Sequence, residues 1–122
     1  MNIMKNYRLI GQCGEEIAAS YLQSLGYIIL SKNFRCKLGE IDLIARDQEY
    51  LVFIEVKYRR SLNYGYPREA VNKIKQKTIS KVALYYLKQH YLYNTSCRFD
   101  VVEIIEYNNE KKINLIKNAF ML

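Results

Sequence analysis

The sequence predicts a single α/β domain in which a mixed β-sheet is flanked by helices, in the order αβββαββ. Three observations lead there. A long amphipathic stretch ends at a glycine. Three strand-like apolar runs follow it, two of them joined by a short polar turn. A second helical stretch then separates these runs from two more. The first helix is expected over residues 7–25, with Gly26 as its C-terminal cap. Strands are expected over 27–35, 40–46 and 51–58, the last two joined by Asp47-Gln48-Glu49-Tyr50. A polar, basic loop over 59–66 leads to Pro67, which suits the first turn of a helix running to about His90. Strands over 98–107 and 112–117 close the chain across Asn108-Asn109-Glu110. No repeat or Pro/Ser-rich linker interrupts this pattern, so residues 1–122 read as one domain with one core.

Half of the residues are hydrophobic, enough to fold unaided, and the formal net charge is +7. That charge suits an acidic partner such as nucleic acid or a membrane surface. An AT-rich coding bias toward Lys, Asn, Ile and Tyr would produce the same excess, so the arrangement of the charges has to discriminate. Cys13, Cys36 and Cys97 are odd in number, widely spaced and free of any C-x-x-C pattern. They favour neither a disulfide framework nor a zinc site, and reduced, mostly buried thiols are expected. No signal-peptide core and no apolar run able to span a bilayer is present, so a cytoplasmic protein without a membrane partner is expected.

The candidate chemistry lies on the central hairpin. A turn symmetric about Gln48 and Glu49 sets Asp42 opposite Glu55 and Glu40 opposite Lys57, and cross-strand partners share a face. Glu40, Asp42, Glu55 and Lys57 then form one polar cluster whose face continues as Ile44 and Phe53. Ile41, Leu43, Val52, Ile54 and Val56 take the other face. Two facing carboxylates are costly to bury without a cation, and a hard divalent ion with oxygen ligands resolves the conflict. Lys57 beside them can hold a water or stabilise negative charge, with Glu40 as the neighbour that tunes it. A plain salt-bridge ladder, with Lys57 neutralising Glu40 or Glu55, is the competing reading. Glu110-Lys111-Lys112 repeats the Glu-x-Lys pattern without an apolar strand before it, so context separates the two.

Glu15 shares a helical stripe with Ala18, Leu22 and Leu25, close to Gly11 and Gly14. An inward acid needs a partner. Either the metal cluster or an Arg or Lys such as Arg98 would serve. Lys73, Lys77, Lys81 and Lys88 form a helical ridge, whereas Lys75 shares its stripe with Ile79, Val82 and Tyr86 and points toward the sheet. The loop before them interleaves Arg59, Arg60 and Arg68 with Tyr64 and Tyr66, a composition suited to phosphate contacts and base stacking. An ordinary solvated helix face would explain the ridge alone. No role is assigned to His90.

Gly11-x-x-Gly14-Glu15-x-x-Ala18, Asn33-x-Arg35, Gly39-Glu40-Ile41-Asp42-Leu43-Ile44-Ala45, Phe53-Ile54-Glu55-Val56-Lys57-x-Arg59 and Arg98-Phe99-Asp100-Val101-Val102 occur in that order. Together they resemble the YraN family of small bacterial proteins. That family is similar to archaeal Holliday-junction resolvases and to the wider PD-(D/E)xK nuclease superfamily. The resemblance implies a restriction-endonuclease-like core and a divalent-metal-dependent DNA endonuclease, acting on branched or unusual DNA. It implies Asp42, Glu55 and Lys57 as the motif residues and Glu15 as the helix-borne acid. Mg²⁺ or Mn²⁺ would sit on Asp42 and Glu55, with the Val56 carbonyl and Glu15 as further ligands. Arg59, Arg60, Tyr64, Arg68, Lys73, Lys75, Lys77 and Lys81 would contact DNA, and a homodimer would supply two sites. Ile41 stands where the superfamily pattern has Pro, a change that leaves the carboxylate chemistry intact. The alternatives are a non-catalytic nucleic-acid-binding module and an interaction subunit of a DNA-processing complex.

Overall fold

The computed structural model describes the backbone of residues 3–60 and 71–121 and, within those spans, side chains from residue 13 on. Its elements are α1 (Ile3–Ser24), β1 (Ile28–Cys36), β2 (Gly39–Asp47), β3 (Tyr50–Arg60), α2 (Lys73–Gln89), β4 (Cys97–Tyr107) and β5 (Glu110–Ile116), in the expected order. The strands form one sheet in sequence order. β3 and β4 are parallel and the other neighbours antiparallel. α2 makes the crossover that a parallel pair requires.

Local chemistry sets most of the boundaries. Gly26 has φ +95, and the N–H groups of Gly26 and Tyr27 bond back to the carbonyls of Gln23 and Leu22 at 3.0 Å each. This is a glycine-terminated helix end. Asn108 and Asn109, at φ 49 and 63, form a two-residue turn between the paired Tyr107 and Glu110. Positive φ at both positions matches the twist of the flanking strands, so Glu110 opens β5 instead of closing the turn. α2 begins at Lys73, later than Pro67 suggests. Val71 and Asn72 are not helical, and the Asn72 side chain accepts the Lys75 N–H at 2.8 Å, the N-cap that starts the helix. Pro67, Tyr64, Tyr66 and Arg68 lie outside the described residues. At the other end of α2 the His90 Nδ1 sits 2.9 Å from the Tyr86 carbonyl, a structural position.

The sheet has a core on each face. Ala18, Ala19 and Leu22 of α1 cover Leu43, Ala45, Val52, Ile54, Val102 and Ile104. Ile79, Val82, Ala83 and Tyr86 of α2 cover Ile41, Ile44, Leu51, Phe53, Phe99 and Val101. β3 is therefore buried on both faces from Leu51 to Glu55, which explains its continuous apolar run. Phe53 stacks on Phe99 at 5.6 Å and meets the edge of Tyr86 at 6.0 Å. A fully buried side chain of this kind contributes about 1.5–3 kcal/mol. The thiols depart from expectation. All three cysteines are free, but Cys13 on α1 is exposed, and Cys36 and Cys97, each at a strand end, are only half-buried against the α2-side core.

Two glycines mark close approaches. A Cβ on Gly14 of α1 would come within 3.2 Å of the Tyr58 ring. Gly39, at φ +146, lies under α2, and a Cβ there would meet Thr78 Cγ2 at 2.8 Å. Gly39→Ala is expected to lower unfolding free energy by more than about 1 kcal/mol, because strained backbone and a clash against α2 act together. Urea denaturation measures this directly.

Candidate functional site

The site forms where β2 separates from β3. Their ladder runs from Asp47↔Tyr50 to Leu43↔Ile54 and ends there. Beyond it the Asp42 side chain takes the place of a ladder bond, with Oδ2 accepting the Val56 N–H at 2.8 Å. The register up to that point is the one the symmetric turn predicts, so Asp42 and Glu55 arrive side by side. One face assignment is corrected. Ile41 packs in the α2-side core, whereas Leu43, two residues on, packs under α1. Strict alternation fails at Asp42 because the strand beside it is irregular. Asn33 is left-handed at φ 55, and neither Asn33 nor Asp42 appears in the β1–β2 register between Lys32↔Leu43 and Phe34↔Ile41.

Three carboxyl groups converge from three elements: Glu15 from α1, Asp42 from β2 and Glu55 from β3. Burial pushes the Asp42 carboxyl up to about 7, and the neighbouring Glu55 and Glu15 charges add to the rise, against the Val56 N–H that favours its ionised form. Glu15 is also raised, chiefly by burial, and is partly relieved by hydrogen bonds with Asn33 and Asp42. Glu15 is therefore tied to the carboxyl cluster and not to Arg98, which bonds Asp47 and Asp100 instead.

Glu55 is 9% exposed, and its Oε1 lies 2.6 Å from the Lys75 ammonium. That bond raises the Lys75 pKa, and the Asp42 and Glu40 charges act in the same direction. Lys75 thus points toward the sheet, as its helical stripe indicated, and reaches Glu55. Glu40 does not oppose Lys57. It pairs with Arg35 of β1 at 3.0 Å, because the β2–β3 ladder has already ended and β1 is its closer neighbour. The strand neighbour of Lys57 is Glu103 of β4, 2% exposed and also bonded by the Asn114 amide at 3.4 Å. Sequence reasoning passed over Glu103, although an acid inside the apolar run Val101-Val102-Glu103-Ile104-Ile105 was a signal.

Glu55, Val56, Lys57, Arg59, Asn72 and Lys75 line a cleft of about 400 Å³ between the end of β3 and the start of α2. The N-terminus of α2 opens onto it and favours negative charge there. Lys73, Lys77 and Lys81 are exposed along the helix that borders the cleft. Arg60 pairs with Glu106 at 3.6 Å, and Glu106 also accepts the Tyr58 hydroxyl.

These donors suit a hard divalent cation. Asp42 and Glu55 offer adjacent carboxylate oxygens whose mutual repulsion a cation would relieve. The N–H and C=O of one strand residue point to the same edge, so the Val56 carbonyl shares the β2-facing edge with the N–H that Asp42 accepts. Among the described residues no group of three or more His, Cys, Asp or Glu side chains is placed to hold a metal ion together. Two carboxylates with water completing the shell is the coordination that Mg²⁺ prefers. No helix of the described residues is long and apolar enough to cross a membrane.

A family model described as "Uncharacterised protein family UPF0102" matches residues 14–104, the span that holds Glu15, Asp42, Glu55, Lys57, Lys75 and Glu103. The chain belongs to this family. A UPF0102 protein of Caldicellulosiruptor saccharolyticus is 50% identical over 119 residues, covering 94% of this chain and 99% of that protein. A UPF0102 protein of Clostridium botulinum is 52% identical over 116 residues, covering 93% of this chain and 94% of its own. A third, from Caldicellulosiruptor bescii, is 51% identical over 122 residues, covering 94% and 99%. The matched span thus holds the whole carboxylate cluster.

Proposed function

We propose that the protein is a divalent-metal-dependent endonuclease that hydrolyses phosphodiester bonds in DNA, including branched DNA. The observation that carries this reading is the convergence of Glu15, Asp42 and Glu55 beside a cleft containing Lys57 and Lys75. Asp42, Glu55 and the Val56 carbonyl would hold Mg²⁺ or Mn²⁺, with Glu15 joining through water. Bound there, the ion supplies Lewis acidity and lowers the pKa of a water nucleophile. Lys57 orients that nucleophile or stabilises charge developing on the phosphate. The cleft is large enough for one phosphodiester, and the α2 N-terminus and Arg59 favour its charge. Lys73, Lys77 and Lys81 hold flanking backbone phosphates, which contribute affinity without reading sequence. Cutting both strands of a junction takes two such sites, which a homodimer would supply.

The test is incubation of purified protein with supercoiled, single-stranded and four-way-junction DNA in Mg²⁺, Mn²⁺ or EDTA. Nicking should require metal, disappear in Asp42→Asn and Glu55→Gln, and accompany binding that weakens steeply with salt. Salt-sensitive binding without cleavage in any metal would instead identify a nucleic-acid-binding module. Absence of binding would leave an interaction subunit.

A further inference from the structure

Lys75 differs from the other lysines of α2. Lys73, Lys77 and Lys81 are exposed along the helix, whereas the Lys75 Nζ reaches back from the first turn to within 2.6 Å of Glu55 Oε1. Glu55 has little exposed surface, so water is a poor substitute for this partner, while Lys75 itself remains 53% exposed and can leave. A divalent ion on the Asp42–Glu55 pair and the ammonium would compete for one oxygen, and two cations at that separation repel. Lys57 is placed differently, since its strand neighbour is the buried Glu103.

We propose that Lys75 is an internal counterion that holds Glu55 until a divalent ion displaces it, and that the freed ammonium then turns into the adjoining cleft to take a DNA phosphate. The inference rests on the metal-binding reading above. It adds a coupling between two ligands. An ion that takes Glu55 releases Lys75 for phosphate, and a phosphate that draws Lys75 away opens Glu55 to the ion. Such coupling is reciprocal, so each ligand raises the affinity for the other.

The test uses the full chain and Mn²⁺, whose free concentration is followed by electron paramagnetic resonance. Lys75→Gln should bind Mn²⁺ about three- to tenfold more tightly than the natural protein, because the competitor is gone. Lys75→Arg keeps the charge and should stay within about twofold of the natural protein. Acetic anhydride labelling, read by mass spectrometry, gives a second measurement that needs no variant. Acetylation at Lys75 should rise several-fold when Mn²⁺ is added. Unchanged or weaker Mn²⁺ binding by Lys75→Gln, or unchanged Lys75 labelling in Mn²⁺-loaded protein, would overturn the counterion role alone. Glu55→Gln should lose Mn²⁺ binding. If it binds as the natural protein does, the ion is elsewhere, and the proposed function falls together with this inference.

Discussion

Asp42→Asn is expected to abolish metal-dependent cleavage and, in the same molecule, to stabilise the metal-free fold above pH 7. The two effects share one cause. Asp42 is a half-buried carboxyl between Glu15 and Glu55, with a pKa pushed up to about 7 from an ordinary 3.8. Asn has nearly the same shape. Its carbonyl oxygen can still accept the Val56 N–H that Asp42 accepts at 2.8 Å, and its amide can donate to the flanking carboxylates. What it cannot supply is an anionic metal ligand. Loss of a group that merely supports a ligand typically costs about 10–100-fold, so loss of the ligand itself should cost about 100-fold or more in nicking rate.

The pH dependence follows from the direction of the shift. Between pH 3.8 and about 7 the folded protein keeps a proton on Asp42 that the unfolded chain has released. The resulting stabilisation is complete below the unfolded pKa and is lost as pH rises through the folded one. Glu15, also raised, acts in the same sense. In EDTA the natural protein should therefore be about 2–3 kcal/mol more stable at pH 5 than at pH 8. Mg²⁺ should restore much of the loss at pH 8, and Asp42→Asn should flatten the profile and remove the Mg²⁺ response. Urea denaturation at the two pH values, with EDTA and with Mg²⁺, reads all of these. An Asp42→Asn protein that still nicks DNA, or one with the same pH profile as the natural protein, would count against the site.

Much of this cluster was legible in the sequence, and what was not has definite physical reasons. The polar turn and the apolar alternation on either side of it set the β2–β3 register, which brought Asp42 to Glu55 correctly. Helical spacing placed Glu15 inward. Arithmetic along one hairpin failed where a third strand intervened. Glu40 turned to Arg35, and Ile41 changed face beside the left-handed Asn33, because neither effect belongs to β2 and β3 alone. The stripe of Lys75 pointed it toward the sheet, but its partner could not be read. Only the parallel crossover sets the first turn of α2 over the end of β3. The same crossover puts β4 between β3 and β5 and buries Glu103 next to Lys57, a contact between residues far apart in the chain.

Arg98→Met is expected to cost about 3–5 kcal/mol of unfolding free energy, the usual consequence of removing one partner from a buried ion pair. Asp100 is 0% exposed. Arg98 meets it through Nε to Oδ1 and a terminal nitrogen to Oδ2, at 2.9 Å each, and reaches on to Asp47 at 2.7 Å and the Tyr27 hydroxyl at 2.8 Å. The Tyr27 hydroxyl and the Asn118 N–H also donate to Asp100, at 2.9 Å each. Without Arg98 those two neutral donors face a buried carboxylate alone. Adding Asp100→Asn should recover part of the loss, because the stranded charge goes with the arginine, and a double-mutant cycle measures that recovery. Mn²⁺ binding should survive in Arg98→Met wherever the protein remains folded. A loss below about 1 kcal/mol would mean that solvent already screens the pair. Two positions along β2 thus carry opposite electrostatics. At Asp47 the charges are of opposite sign and mutually satisfied, so a deletion destabilises. At Asp42 they are of like sign, so neutralisation stabilises, and the fold keeps an unfavourable cluster that a bound cation would complete.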